Sequence, residues 1–198
     1  MALYKPFKSI VLLGPPGSGK GTLGKFLGSK KEFFHLSSGE IFRNLPPHTK
    51  EGKLYQEYAA KGELIPDNQT IYIWHAYVCN LIEKKQFCPE KQILVLDGIP
   101  RNKKQVELIS SYIEVCAILV LQVSDIKLLA QRICKRALVE KREDDADSAI
   151  FSRRMHVYKE QTEELLQCYP SSKIHPLDAT APPESIQNQS LQLLSCVL

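Results

Sequence analysis

The stretch LLGPPGSGKGTLGKFL, residues 12–27, sets glycines, a proline pair and a lysine between an apolar run and a segment of helical period. Flexible residues in that place mean that the backbone itself must approach something closely, with no side chain in the way. Gly14-Pro15-Pro16-Gly17-Ser18-Gly19-Lys20 fits G-x-x-x-x-G-K directly after a predicted strand and before a predicted helix, the context a phosphate-binding loop needs. Glycines let successive N–H groups converge on phosphate oxygens, and the helix N-terminus adds its dipole. Lys20 brings a full positive charge to the outer phosphates. Gly21 follows it and the hydroxyl comes only at Thr22, which weakens a direct hydroxyl–Mg2+ contact and points away from GTPases and motor ATPases.

The rest of the chain alternates in a way that suits such a loop. SIVLL (9–13), ILVLD (93–97) and AILVLQV (117–123) are near-continuous apolar runs, as expected of strands covered on both faces. KIHPLD (173–178) is a weaker fourth candidate, with Pro176 marking an edge or a strand end. Residues 20–31, 67–86, 102–112, 125–138 and 147–168 read as helices, with Asp67, Asp125 and Asp147 placed to cap three of them. Trp74, with Ile71 and Val78 at helical spacing, reads as core. Strand and helix alternating predict a parallel α/β sheet with its ligands at the carboxyl ends of the strands.

Composition narrows the class. At 198 residues the chain is one domain by default, and 43% hydrophobic with 24% charged residues is ordinary for a globular protein. A net charge of +4 does not require nucleic acid and is compatible with a small anionic substrate. No run approaches the roughly 18 apolar residues of a membrane span, and the first residues lack a signal peptide's apolar core. The six cysteines form no C-x-x-C pair, so structural zinc is not expected; they read as reduced, mostly buried small hydrophobes. The five histidines lie in no block that calls for acid–base chemistry.

Arg43, Arg101, Arg132, Arg136, Arg142 and one of Arg153 or Arg154 form a set of guanidiniums whose placement is not random. Arg101 follows the strand ILVLD at its carboxyl end, and Arg132 and Arg136 share a helix face. Two nucleotides brought together repel unless bidentate donors neutralise their phosphates. Asp97 ends a strand beside the loop, where its expected task is to hold waters of a Mg2+ ion on the donor phosphates. Gln105 offers the acceptor and donors that match an adenine edge. Phe151, Met155, Tyr158, Thr162 and Leu165/Leu166 form a helical seam that Arg154 flanks while Arg153 points away, which favours Arg154. Asp144 and Asp145 either pair with arginines on closure or sit at a helix start where the dipole favours them.

GPPGSGKGT, with glycine before the threonine, resembles the nucleoside monophosphate kinases, adenylate kinases in particular. Four further blocks match in order. LSSGEIFR (36–43) resembles the monophosphate-binding segment and GELIPD (62–67) the turn closing it. LDGIPRNKKQ (96–105) resembles the family signature, and RICKR (132–136) with REDD (142–145) the lid. The likeness spans about residues 9–180. It implies a P-loop NTPase-type parallel sheet flanked by helices, one domain over 1–198 with core 1–36, 67–136 and 147–198, a helical monophosphate-binding insert at 37–66 and a short lid at 137–146. It implies reversible Mg2+-dependent transfer, ATP + AMP ⇌ 2 ADP, by a cytoplasmic monomer without zinc, nucleic acid or membrane partners. The ATP site falls on Gly14, Pro15, Gly17, Ser18, Gly19, Lys20, Gly21, Thr22, Arg132, Arg136 and Ala181. The AMP site falls on Ser38, Arg43, Glu63, Leu64, Ile65, Gly98, Arg101, Gln105, Arg142 and Arg154. Catalysis falls on Lys20, Arg101, Arg132, Arg142 and Arg154, with Asp97 reaching Mg2+ through water. Ser38 stands where adenylate kinases usually carry threonine and uridylate/cytidylate kinases alanine, and Asn102 where adenylate kinases often carry threonine. A UMP/CMP or broader monophosphate kinase is therefore the nearest alternative, ahead of a P-loop ATPase or nucleotide sensor.

Overall fold

Phe7–Leu13, apolar at nearly every position, forms β1 at the centre of a five-stranded sheet. The computed structural model describes residues 5–140, 145 and 147–198. Strand order is β2 (Phe33–Ser37), β3 (Ile93–Asp97), β1, β4 (Ile113–Gln122), β5 (Ile174–Asp178), and every neighbouring pair is parallel. Parallel neighbours need crossovers, which helices supply. α1 (Lys20–Gly28) joins β1 to β2, and α2 (Ser38–Arg43), α3 (Lys50–Lys61) and α4 (Asp67–Glu83) lie between β2 and β3. α5 (Lys103–Ile109) precedes β4, α6 (Ile126–Glu140) and α7 (Ser148–Val157) precede β5, and α8 (Pro183–Val197) follows it.

Alternate residues of β1 enter different cores, as the two-residue period of a strand requires. Ile10 and Leu12 join Leu23, Leu27, Leu119 and Leu121 on one face; Val11 and Leu13 join Trp74, Val78, Leu96 and Ile118 on the other. A strand buried on both sides cannot alternate apolar with polar, which is why SIVLL reads as a continuous run.

Register places the site. Leu12 pairs with Asp97 across β1–β3, Ser37 with Asp97 across β2–β3, and Gln122 with Asp178 across β4–β5. The glycine loop, Ser38, Gly98 and Ala179 therefore leave the sheet at one edge, the carboxyl ends of the strands, where ligands of such sheets bind.

Several local expectations are corrected. FFHLS at 33–37 is a strand, unread because it is short and broken by His35. Asp67 does not cap its helix: Pro66 occupies that position, and the Asp67 carboxylate accepts from Asn102 and Gln105 instead. Asp125 and Asp147 do cap, accepting from Lys127 N and Ala149 N. The helix expected over 147–168 stays α-helical only to Val157, then passes through a π turn (Tyr158–Thr162) into a 3-10 segment (Glu163–Cys168). The cysteines are not mostly buried. Cys134, Cys168 and Cys196 are exposed and Cys79, Cys88 and Cys116 half-buried. α6 runs to Glu140, into the segment expected as lid.

Candidate active site

The glycine loop turns its backbone tightly between β1 and α1. Gly17, at φ +84°, sits so close to α6 that a Cβ would meet the Leu129 carbonyl oxygen at 2.9 Å, so only glycine fits. Lys20 Nζ donates to the Gly14 and Pro15 carbonyl oxygens at 2.7 and 3.0 Å, which folds the lysine over the loop. Ser18 is buried, and its Oγ has no hydrogen-bond partner among the described residues. Gly19 caps α1 without a side-chain hydrogen bond, and no acid stands in the first turn. Uncapped N–H groups, an unpartnered hydroxyl and a lysine around one point suit a polyphosphate.

A cavity of about 730 Å³ runs from this loop to the helices between β2 and β3. Gly14, Gly17, Ser18, Gly19, Lys20, Gly21, Thr22, Arg132, Arg136 and Ala181 line it from one side. Ser38, Arg43, Glu63, Leu64, Ile65, Gly98, Arg101, Gln105 and Arg154 line it from the other, with Asp97 between. Pro15 is the exception: its carbonyl oxygen is turned to Ser18 N and Lys20 Nζ, and it does not line the cavity. Arg142 and Asp144 lie outside the described residues.

Each wall is built by hydrogen bonds from neighbouring elements. Ser38 Oγ and Arg101 Nε both donate to the Gly98 carbonyl oxygen, at 2.8 and 2.7 Å. Thr162 Oγ1 donates to the Arg101 carbonyl oxygen at 2.8 Å, and the Arg101 N–H donates to Gln105 Oε1 at 2.8 Å. Arg101 is thus held at its side chain and at both backbone groups. Arg132 Nη1 is anchored on the Ala179 carbonyl oxygen at 2.8 Å.

Asp145, only 3% exposed, ties α6 to α7. Arg136 donates to it through Nε at 2.6 Å and Nη2 at 2.9 Å, and Arg154 through Nη1 at 2.6 Å. Arg153 does something else. It points to the surface, pairs with Glu63 at 2.7 Å and does not line the cavity.

The field inside is strongly positive. Burial lowers the Lys20 ammonium from 10.5 to about 8, with Asp97 opposing and Arg101, Arg154 and Arg136 adding to the shift. Burial and then Arg154 lower the Arg101 guanidinium to about 10, so it stays charged at neutral pH. Burial works to raise the Asp97 carboxyl, but the His35 ring, Lys20 and Arg101 outweigh it and hold the acid below its usual range. Like charges crowded this way call for an anion to relieve them.

Four contributors escape a motif reading. His35 lies on β2 with Nε2 3.8 Å from Asp97 Oδ2, and a Cβ at Gly24 would run into that ring, so glycine there makes the room. Asp67, read as a cap, Asn102, read only as a departure from the family's threonine, and Thr162, read only as part of a seam, act on Gln105 and Arg101. Local sequence does not show what they touch, because His35–Asp97, Asp67–Asn102, Asp67–Gln105 and Thr162–Arg101 join positions 35–62 residues apart; only the Asn102 cap on the Gln105 N–H is local.

A glycine loop after β1, with Lys20, a set of arginines and Asp97 lining one cavity at the carboxyl ends of a parallel sheet, puts the chain in the P-loop class. A family model described as Adenylate kinase matches residues 12–174. The chain is 35% identical to the adenylate kinase of Flavobacterium psychrophilum over 171 residues, 83% of this chain and 86% of that protein. Similarity to the adenylate kinase of Thermobifida fusca is 32% over 192 residues, covering 93% and 97% of the two chains. With that of Rickettsia bellii it is 29% over 216 residues, covering 93% and 98%. This chain belongs to the adenylate kinase family. Membership makes it a nucleoside monophosphate phosphotransferase, and the family's general reaction is reversible, Mg2+-dependent phosphoryl transfer between ATP and AMP. No helix among the described residues is long and apolar enough to cross a membrane.

Proposed function

We propose that the two walls divide the substrates, with ATP on the glycine-loop side and AMP between Ser38, Arg43, Arg101 and Gln105. The observation that carries this is the cavity itself, which Lys20, Arg132 and Arg136 line together with Arg43, Arg101 and Arg154. In this reading the loop N–H groups, Ser18 Oγ and Lys20 hold the donor's outer phosphates. Arg101, Arg43 and Arg154 turn the AMP phosphate toward the terminal phosphorus of ATP. An AMP oxygen, already ionised and needing no base, attacks in line; its new P–O bond forms as the bond to the ADP leaving oxygen breaks. Lys20 and the arginines neutralise charge on the passing phosphoryl group. Arg142 is assigned to the same task, and the 37–66 insert and 137–146 lid to excluding water.

Asp97 fits a hydrated Mg2+ ion: its carboxylate is buried, kept ionised and ends its strand at the cavity floor, the hard oxygen donor such a cation takes. Gly21 leaves space before it, since a Cβ there would stand 3.7 Å from Oδ2. Held there through its waters by Asp97, Mg2+ would supply positive charge to offset the negative charge of the donor phosphates. We further read the chain as a cytoplasmic monomer that needs no zinc, as the family likeness implies.

The test is kcat/KM for AMP, CMP, UMP and GMP with ATP and Mg2+ saturating. AMP preferred supports the assignment. A pyrimidine preferred would move the chain to the UMP/CMP-type alternative, which Ser38 keeps open by its size.

A further inference from the structure

We propose that Asp67 is a positioning residue for base selection, locking the Gln105 amide in the one orientation that reads a 6-amino purine. The proposal rests on the assignment of Gln105 to the acceptor base. An amide side chain has two orientations that exchange oxygen and nitrogen. Around Gln105 the partners leave no choice. Nε2 lies 2.9 Å from Asp67 Oδ1, and Oε1 lies 2.8 Å from the Arg101 backbone N–H. A carboxylate only accepts and a backbone N–H only donates, so a flip would lose both bonds and set oxygen against oxygen.

Asp67 is itself held in register. Its Oδ1 also accepts from Asn102 Nδ2 at 2.9 Å, and Asn102 Oδ1 accepts the Gln105 backbone N–H at 2.8 Å. The ring of contacts is pinned at two points by backbone N–H groups, which cannot reverse. Gln105 lines the cavity at 1% exposure, while Asp67 and Asn102 do not line it. They act from behind.

Two of Gln105's valences are thereby taken, leaving one N–H and one lone pair. A 6-amino purine offers N–H at its exocyclic nitrogen and an acceptor at N1, the complement of that pair. A 6-oxo purine offers the reverse and would need the flipped amide. Asp67 therefore raises the cost of accepting the 6-oxo base, while the Arg101 N–H keeps part of the preference without it. The carboxylate that fails to cap α4 has this task instead.

The experiment compares kcat/KM for AMP and inosine monophosphate, with ATP saturating, in wild type, Asp67→Ser and Asp67→Asn. Serine is small and tolerated in the first turn of a helix, and Asp67→Ala carries the same expectation should Asp67→Ser not fold. Asp67→Ser lowers the AMP-to-inosine-monophosphate ratio by about tenfold or more, with the ATP KM unchanged, because a lost buried partner discriminates on that scale. Asp67→Asn keeps the ratio, since Asn102 Nδ2 demands an oxygen at the shared point. A wild-type ratio in Asp67→Ser overturns the proposal whatever happens to thermal stability. So does a loss in Asp67→Asn as large as in Asp67→Ser. Wild type that refuses AMP altogether is a separate result: it overturns the acceptor-site reading before any variant is made.

Discussion

Arg154 Nη1 and Asp145 Oδ1 lie 2.6 Å apart, and the Asp145 side chain is wholly withdrawn from solvent. The same carboxylate holds Arg136, so one acid fixes two cavity-lining guanidiniums, one from α6 and one from α7. Asp145→Ala releases both. Misplaced positioning groups cost roughly tenfold to a hundredfold, and that loss is expected in kcat/KM with AMP varied. Thermal unfolding should show a loss of about 1–3 kcal/mol, as for charged hydrogen bonds left unmade. Wild-type kinetics in a folded Asp145→Ala would show that the clamp is idle.

The neighbouring arginines should separate cleanly. Arg154 lines the cavity, while Arg153 is 57% exposed at its side chain and meets only Glu63 in the described contacts. Arg154→Ala should lower kcat by about a hundredfold or more, the scale of a lost charge on transferring phosphate. Arg153→Ala should stay within about threefold, because exposed pairs contribute little. Equal losses, or the reverse order, would contradict the placement.

Lys20 sets a pH signature. Burial brings it to about 8 in the ligand-free protein, below the 10.5 of an unfolded chain. The folded state thus holds this proton less firmly than the unfolded one. Its charge opposes folding in full below about pH 8, and the opposition fades as pH rises from 8 toward 10.5. Phosphates restore the proton, so ATP binding near pH 8.5 should take one up. Calorimetry in buffers of different ionisation enthalpy measures the uptake, and Lys20→Met should lose it. Uptake unchanged in that variant would place the titrating group elsewhere.

Gln105→Leu removes the base contact and leaves the glycine loop alone. The cost for AMP should be about 1–3 kcal/mol in kcat/KM, the scale of a buried unmatched partner. The KM for ATP should not move. A variant that handles AMP as wild type does would mean the base is read by other groups.

The central architecture was legible because its causes are local. Continuous apolar runs announce strands buried on both faces, and the glycine loop announces its own turn. Helical spacing puts Arg154 beside the seam and Arg153 away from it; in the structure Arg154 lines the cavity and Arg153 pairs with Glu63. What local pattern missed was non-local. His35 looked idle because its relation to Asp97 depends on the β2–β3 register, and Asp67 looked like a cap because its partners are 35 and 38 residues away. The π turn at Tyr158–Thr162 breaks a run whose periodicity predicts one long helix; it is a single turn following α-helix, too short to disturb the pattern on either side.

The most direct test of phosphoryl transfer in this cavity is the rate of ADP formation from ATP and AMP in Lys20→Met against wild type, with circular dichroism on both. Losing a charge poised on the transferring phosphates costs several kcal/mol of barrier, so turnover should fall by about a thousandfold or more with the spectrum unchanged. Turnover within about tenfold of wild type, in an equally folded variant, would contradict the assignment of the glycine loop as the catalytic cradle.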